Sequence, residues 1–214
     1  MMQIDNLRLR KLPLTILLAA VLFAGCRGST PQVEFYALNS PSGITPIANP
    51  ADAYAYQGIS IGVGPVSIPE VLDRPQIVTR RGPNKLNVDD FHRWASRLED
   101  NFARVLAKNI SLLLPTDQVA VYPWDPGFKP QYQVTLDIQH FEGQWGREVL
   151  LEVFWKVIEA QGKTALNIRK TVVKEPLPGN DYETLVSIKS GAVTTLGQEI
   201  VQEIKQLQSG TKSN

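Results

Sequence analysis

From Val33 onward, apolar and polar positions change places in a regular way. Val33, Phe35 and Ala37 alternate with Glu34, Tyr36 and Leu38. Period-two alternation predicts a first strand, suited to a sheet edge. Pro41, Gly43, Pro46 and Pro50 make residues 41–57 a loop. In "GISIGVGPVSIP", Ile59, Ile61 and Val63 point one way with small or polar residues opposite, which reads as a strand with one buried face. "LDRPQIVTRRGPNKLNV" predicts a hairpin of strands 76–79 and 85–88 around the turn Gly82-Pro83-Asn84. Phe91, Trp94, Ala95, Leu98, Phe102, Val105, Leu106, Ile110 and Leu113 recur every three or four positions. That spacing predicts an amphipathic helix capped by Asp89 or Asp90 and ended by Pro115. Its polar side carries His92, Arg93, Arg97, Asp100, Arg104 and Lys108.

A short strand is expected at 118–122, then the turn-rich loop "PWDPGFKP". Three long strands follow. In the first, Tyr132, Val134, Leu136 and Ile138 alternate with Gln133, Thr135, Asp137 and Gln139; the others are 148–159 and 165–173. Short glycine-bearing connections argue an antiparallel meander. Tyr182, Leu185, Lys189, Ala192, Leu196, Ile200, Ile204 and Leu207 restore helical spacing. The pattern as a whole predicts an α/β sandwich. One mixed, largely antiparallel sheet of about six strands would be packed by two long amphipathic helices, each of which must bury its apolar stripe.

The N-terminus follows a different logic. Arg8, Arg10 and Lys11 precede an almost wholly apolar run over 12–23, then Ala24, Gly25 and Cys26. Positive, apolar, small is the order of a secretory signal peptide. The run is too short for a spanning helix, which needs about 20 apolar residues. Residues 24–26 resemble a bacterial lipobox, with Phe23 where an aliphatic residue is usual. The resemblance implies that Cys26, the single cysteine of the chain, becomes the first mature residue and carries the lipid. It also implies outer-membrane delivery, because Arg27 rather than Asp follows. The expected organisation is a signal peptide at 1–25, a lipidated N-terminus and short tether at 26–32, one periplasmic domain at 33–208, and a loose polar tail at 209–214.

Composition narrows the function. The apolar fraction of 43% suits a globular chain. The formal net charge is +1; the signal segment holds +2 of it, which leaves the mature part near −1. That is not the clustered basic footprint of a nucleic-acid binder. Gly62 and Gly64 invite a nucleotide-loop reading. Gly64 is followed by Ser67 where the third glycine should stand, and Pro65 and Pro69 stop the chain from entering a helix. No phosphate-binding G-x-x-x-x-G-K-[ST] occurs. The two histidines, His92 and His140, lack metal-ligand spacing, and no G-x-S-x-G elbow is present. The chain is therefore read as non-enzymatic, with no cofactor, no metal and no nucleic-acid partner. The surface candidate is the hairpin segment: Arg74, Gln76, Arg80, Arg81 and Lys85 gather there beside Glu70 and Asp73 as a docking surface for an acidic or mixed partner.

The lipobox, the "FYAL" strand, "VGPVSIPEVLDRPQIV", "HRWASRLEDNFARVLAKNI" and the final "Y..LV" helix together resemble one family. It is the PqiC-like auxiliary lipoprotein family of ABC-type and MCE-type intermembrane transport systems. The likeness runs from Val33 to about Gln206 and is densest over 63–110. It implies a periplasmic α/β sandwich without catalytic residues, partnered by an MCE-type envelope transport protein and held to the membrane by its acyl anchor. A homo-oligomer is left open. Two rival readings are a periplasmic lipid-binding carrier, which predicts a sizeable apolar cavity between sheet and helices, and an envelope hydrolase. The hydrolase would draw its polar groups from His92, His140, Asp125, Asp137 and Glu142.

Overall fold

Strand Tyr132–Gln144 organises the sheet, because both of its edges are used and one of them is used twice. The computed structural model describes residues 31–44, 56, 58–114, 116–159 and 168–211. Cys26 and the signal segment lie outside the described residues, as does Pro115. In chain order the elements are β1 (Glu34–Tyr36), β2 (Ile61–Ser67), β3 (Gln76–Gly82), β4 (Lys85–Trp94), α1 (Leu98–Leu113), β5 (Val119–Val121), β6 (Tyr132–Gln144), β7 (Glu148–Glu159), β8 (Arg169–Pro176) and α2 (Tyr182–Thr211).

The three-strand meander forms as the alternation predicts. Tyr132, Val134, Leu136 and Ile138 of β6 are buried, as are Val149, Leu151, Val153, Trp155 and Val157 of β7. β7 runs antiparallel to β6, and β8 antiparallel to β7. On the other edge of β6, β2 pairs alongside Tyr132 to Asp137 and β3 pairs at Gly143 and Gln144, both parallel. β5 adds to β2 in parallel, β4 adds to β3 antiparallel, and β1 adds to β4 in parallel. The expectation of a largely antiparallel sheet is therefore corrected. The described sheet has eight strands and is mixed: four strand pairs are parallel and three, with the longer ladders, are antiparallel. Parallel neighbours need long crossover connections. Here α1 and the loop after β2 supply them, and local turn signals do not register such partners.

The first helix also starts later than its apolar spacing predicts. Residues 91–94 continue β4, because β1 pairs with His92, Arg93 and Trp94 on one side and Gln76 pairs with Arg93 on the other. Asp89 does not cap a helix; its Oδ1 accepts the backbone N–H groups of Phe91 and His92 at 2.9 and 3.1 Å. α1 begins at Leu98 with Glu99 and Asp100 in its first turn, where acidic groups favour the helix dipole. Its stripe of Leu98, Phe102, Leu106, Ile110 and Leu113 is buried.

α2 begins at Tyr182, where Asp181 Oδ2 accepts the Thr184 N–H at 2.7 Å. It continues through Ser209 to Thr211, past the point where a loose tail is expected. Leu185, Val193, Leu196, Ile200, Val201 and Ile204 are fully buried. Both helices contact the sheet, and they contact each other. Gly143 lets α2 approach β6, since a Cβ there would overlap Leu185 Cδ1. Gly62 does the same for the loop after β5. An added Cβ would stand 2.6 Å from the Trp124 ring, which packs over β2. In "GVGPVS", Gly62 thus serves close packing by an indole, and Gly64, at a φ of +119°, lies where a Cβ would overlap Tyr122.

Candidate docking site

The five hairpin residues singled out in the sequence do not form one patch. Gln76 opens β3, and its Nε2 donates to Asp90 Oδ1 at 3.3 Å. Arg74 is exposed in the bend just before it. Arg81 and Lys85 are exposed at the opposite end, around the turn. Arg80 turns inward. Its Nη1 donates to the Pro83 carbonyl at 2.8 Å, and its Nε donates to Glu142 Oε1 at 3.0 Å.

What Arg80 meets is a polar centre at a fork in the sheet. β2 last pairs with β6 at Asp137, and β3 first pairs at Gly143. Between them the edge of β6 has no strand. Side chains take over there. Glu142 Oε2 accepts the Phe141 N–H at 2.9 Å, and Lys189 Nζ donates to the Phe141 carbonyl at 2.9 Å. Buried backbone groups must find partners, and these two substitute for a missing ladder rung. His140 Nδ1 lies 3.0 Å from Glu142 Oε1. Burial pushes the Glu142 carboxyl up, but the hydrogen bonds and charges of Arg80 and His140 outweigh it and hold it below the usual range. Lys189 is wholly buried, its Nζ 4.7 Å from the Phe141 ring centre and 5.1 Å from that of Trp94. Desolvation pushes this amine down to about 7, against the pull of Glu142.

A second polar group lies where β1, β4 and α2 meet. The His92 ring stacks on Tyr182 at 3.9 Å, and its Nδ1 is 3.0 Å from Asp89 Oδ1. The Tyr182 hydroxyl donates to Asp89 Oδ2 at 3.1 Å. Burial raises the Asp89 carboxyl, yet donation from His92, the Phe91 N–H and Tyr182 brings it below its ordinary value. Burial and the Asp89 charge push the Tyr182 hydroxyl well up. His92 therefore sits on a strand and holds α2 to the sheet, rather than on the polar face of a helix. Asp125 accepts the Gly127 N–H in its loop, and Asp137 is exposed on β6. Among the described residues, no group of three His, Cys, Asp or Glu side chains is placed to hold a metal ion.

The arrangement best suited to recognition is one that the sequence left in two pieces. "LDRP" at 72–75 and "WASR" at 94–97 come together, with the Trp94 N–H donating to the Pro75 carbonyl at 2.7 Å. Asp73, Arg74, Pro75, Trp94, Ser96 and Arg97 line a recess of about 340 Å³. Trp94 is buried, while Arg74 and Arg97 are exposed beside the recess. Arg97 Nη2 lies 3.2 Å from both Asp73 Oδ2 and Glu99 Oε2. Such solvent-screened pairs are weak, so the guanidinium can be re-partnered at little cost. Both segments were visible as motifs. Only the register of β4 against β3 makes them neighbours.

The space between the sheet and the helices is filled. Phe102 and Phe141 meet edge to face at 5.3 Å, with Leu106, Ile110, Leu196 and Ile200 fully buried around them.

Comparison with known proteins places this fold among relatives. The chain is 24% identical over 194 residues to the intermembrane transport lipoprotein PqiC of Escherichia coli, which covers 90% of this chain and 97% of the relative. The Shigella flexneri protein of the same name matches equally. The crystal structure of a Xanthomonas campestris protein superposes with a TM-score of 0.64 at 20% identity, over 84% of this chain and 99% of that one. A second crystal structure, of an uncharacterized protein, gives the same TM-score at 18% identity, over 81% and 99%. These two likenesses concern the fold alone. Residues 36–201 match the family described as the ABC-type transport auxiliary lipoprotein component. The span takes in every described element except the first residues of β1 and the last turns of α2, and the chain belongs to that family.

Proposed function

We propose that this lipoprotein is anchored to the periplasmic face of the outer membrane through lipid on Cys26, and that it docks an MCE-type component of an intermembrane lipid transport system. Its work is binding and positioning, without catalysis or cofactor. The observation that carries the reading is the family match over residues 36–201, joined by relatives named for intermembrane transport. Arg27 after the lipidated cysteine supports outer-membrane delivery. The recess between residues 72–75 and 94–97 supports docking, because it is a concave site lined by Trp94 and by two exposed cations, Arg74 and Arg97. Arg81 and Lys85, exposed at the far end of the hairpin, offer a second, separate cationic surface to an acidic or mixed partner.

Tethering raises the effective concentration of a weak partner site without any new contact. Residues 27–32 span at most about 20 Å when extended, so the partner must come close to the membrane. Two experiments test this. Cys26→Ser should abolish incorporation of labelled fatty acid and release the protein from the membrane fraction. Insertion of about twenty flexible residues after Arg27 keeps the anchor but should weaken partner capture and transport, since effective concentration falls as a flexible linker outgrows its span. Unchanged transport with the long tether would mean that close placement does not matter.

A further inference from the structure

We propose that the face of the sheet edge carrying Phe35 and Phe91 lies against the phospholipid surface that holds the anchor. The proposal rests on the lipidation of Cys26 argued above, and it says which part of the folded body meets the bilayer. Phe35 is 65% exposed in the middle of β1, and among the described large apolar side chains only Ile168 is more exposed. Phe91 on β4 is 39% exposed. The pairing of the strands puts them together: Phe35 is opposite Arg93, with Phe91 two residues before it. Side chains alternate across a strand. Tyr36, His92 and Trp94 point to the side of α2, where the His92 ring meets Tyr182 and the Trp94 ring meets Lys189. Phe35, Phe91 and Arg93 therefore share the side away from α2. The Arg93 Nε donates to the Asp90 carbonyl at 2.9 Å, which ties the guanidinium back to β4 on the strand pair that carries both phenyl rings. Two exposed aromatic side chains on the same strand pair as an arginine suit the boundary between acyl chains and phosphates.

Two acids, Glu34 and Asp90, neighbour this edge. Glu34 accepts from the Tyr36 hydroxyl and lies 3.6 Å from His92 Nε2, on the α2 side. Asp90 is engaged by Gln76. The occupant follows from chain length. Phe35 is nine residues after Cys26, a reach of at most about 30 Å when extended. β1 is thus the described element nearest in sequence to the anchor, and its exposed phenyl is held within reach of the membrane.

The test uses the full-length lipidated chain in vesicles of phosphatidylethanolamine and phosphatidylglycerol. Cysteines are introduced one at a time as Phe35→Cys, Phe91→Cys and, on exposed α1, Leu112→Cys, and each is labelled with a nitroxide. The expected result is that the labels at 35 and 91 are severalfold more accessible to oxygen, relative to a water-soluble nickel chelate, than the label at 112. Equal ratios at all three positions would overturn the proposal. So would shielding at 35 and 91 that comes with dipolar broadening between like labels, because the face would then be covered by a second copy. The unmutated chain is carried through the same labelling. Uptake of label by that chain would mean a free Cys26 thiol, which overturns the anchoring and the proposal with it.

Discussion

Lys189 has the helical spacing of an apolar position and the chemistry of a surface one. The sequence placed it correctly in the buried stripe of α2 but held no sign of why a lysine should be there. The reason is the fork in the sheet, where its Nζ completes the hydrogen bonding of Phe141. A base whose folded pKa lies below its unfolded value binds fewer protons when folded, so stability rises with pH across that interval. For Lys189 the interval runs from about 7 to 10.5, and the penalty is largest below it. Urea midpoints followed from about pH 6 to about pH 10 should rise more steeply in the unmodified protein than in Lys189→Met. Parallel curves would mean that the amine is not desolvated as described. Glu142 is the counterpart. Glu142→Ala leaves Arg80 and Lys189 without their buried anion and should cost about 3–5 kcal/mol in urea unfolding. Neither residue is a candidate for catalysis on this reading, although Glu142 and His140 do meet.

At the scale of elements, hydrophobic period was a good guide to what each segment is and a poor one to where it stops. The meander β6–β8, the hairpin β3–β4 and both helices follow their patterns. The boundary at Trp94 does not, because Phe91 and Trp94 fall three apart by chance on a strand whose ladder with β1 overrides that spacing. The difference is measurable. A helix from Asp89 would make Phe91 a core residue, whereas in the structure Phe91 is 39% and Trp94 5% exposed. Phe91→Ala should therefore change stability by no more than about 1 kcal/mol, while Trp94→Ala should cost about 3–5 kcal/mol. Comparable losses would return residues 91–94 to the core of a helix. Parallel pairing was illegible for a different reason. β2 and β6 are separated by the hairpin, α1 and β5, and nothing local in either strand names its neighbour. Gly62 belongs here too, since its partner Trp124 lies in a loop beyond β5. Gly143→Ala should destabilise by about 1–3 kcal/mol through overlap with Leu185, as overpacked sites do.

For the whole molecule, the family likeness was legible in the sequence, and the structure assembled a recess that the sequence held in two separate motifs. Among the described residues there is no cluster of metal ligands, and Phe102, Phe141, Leu106, Ile110, Leu196 and Ile200 are packed fully buried between sheet and helices. What it offers is a folded body with exposed cations on its hairpin and an aromatic sheet edge whose Phe35 stands nine residues after its proposed anchor. A protein built in this way acts by where it is held and by what it touches. The direct test is photo-crosslinking in living cells from Ser96 and Arg81, with Leu112 on α1 as the control position, followed by identification of the captured molecules. The account predicts an MCE-type envelope protein captured from 96 and 81 and not from 112. Capture of cell-wall material alone, or of lipid alone, from those positions would contradict it.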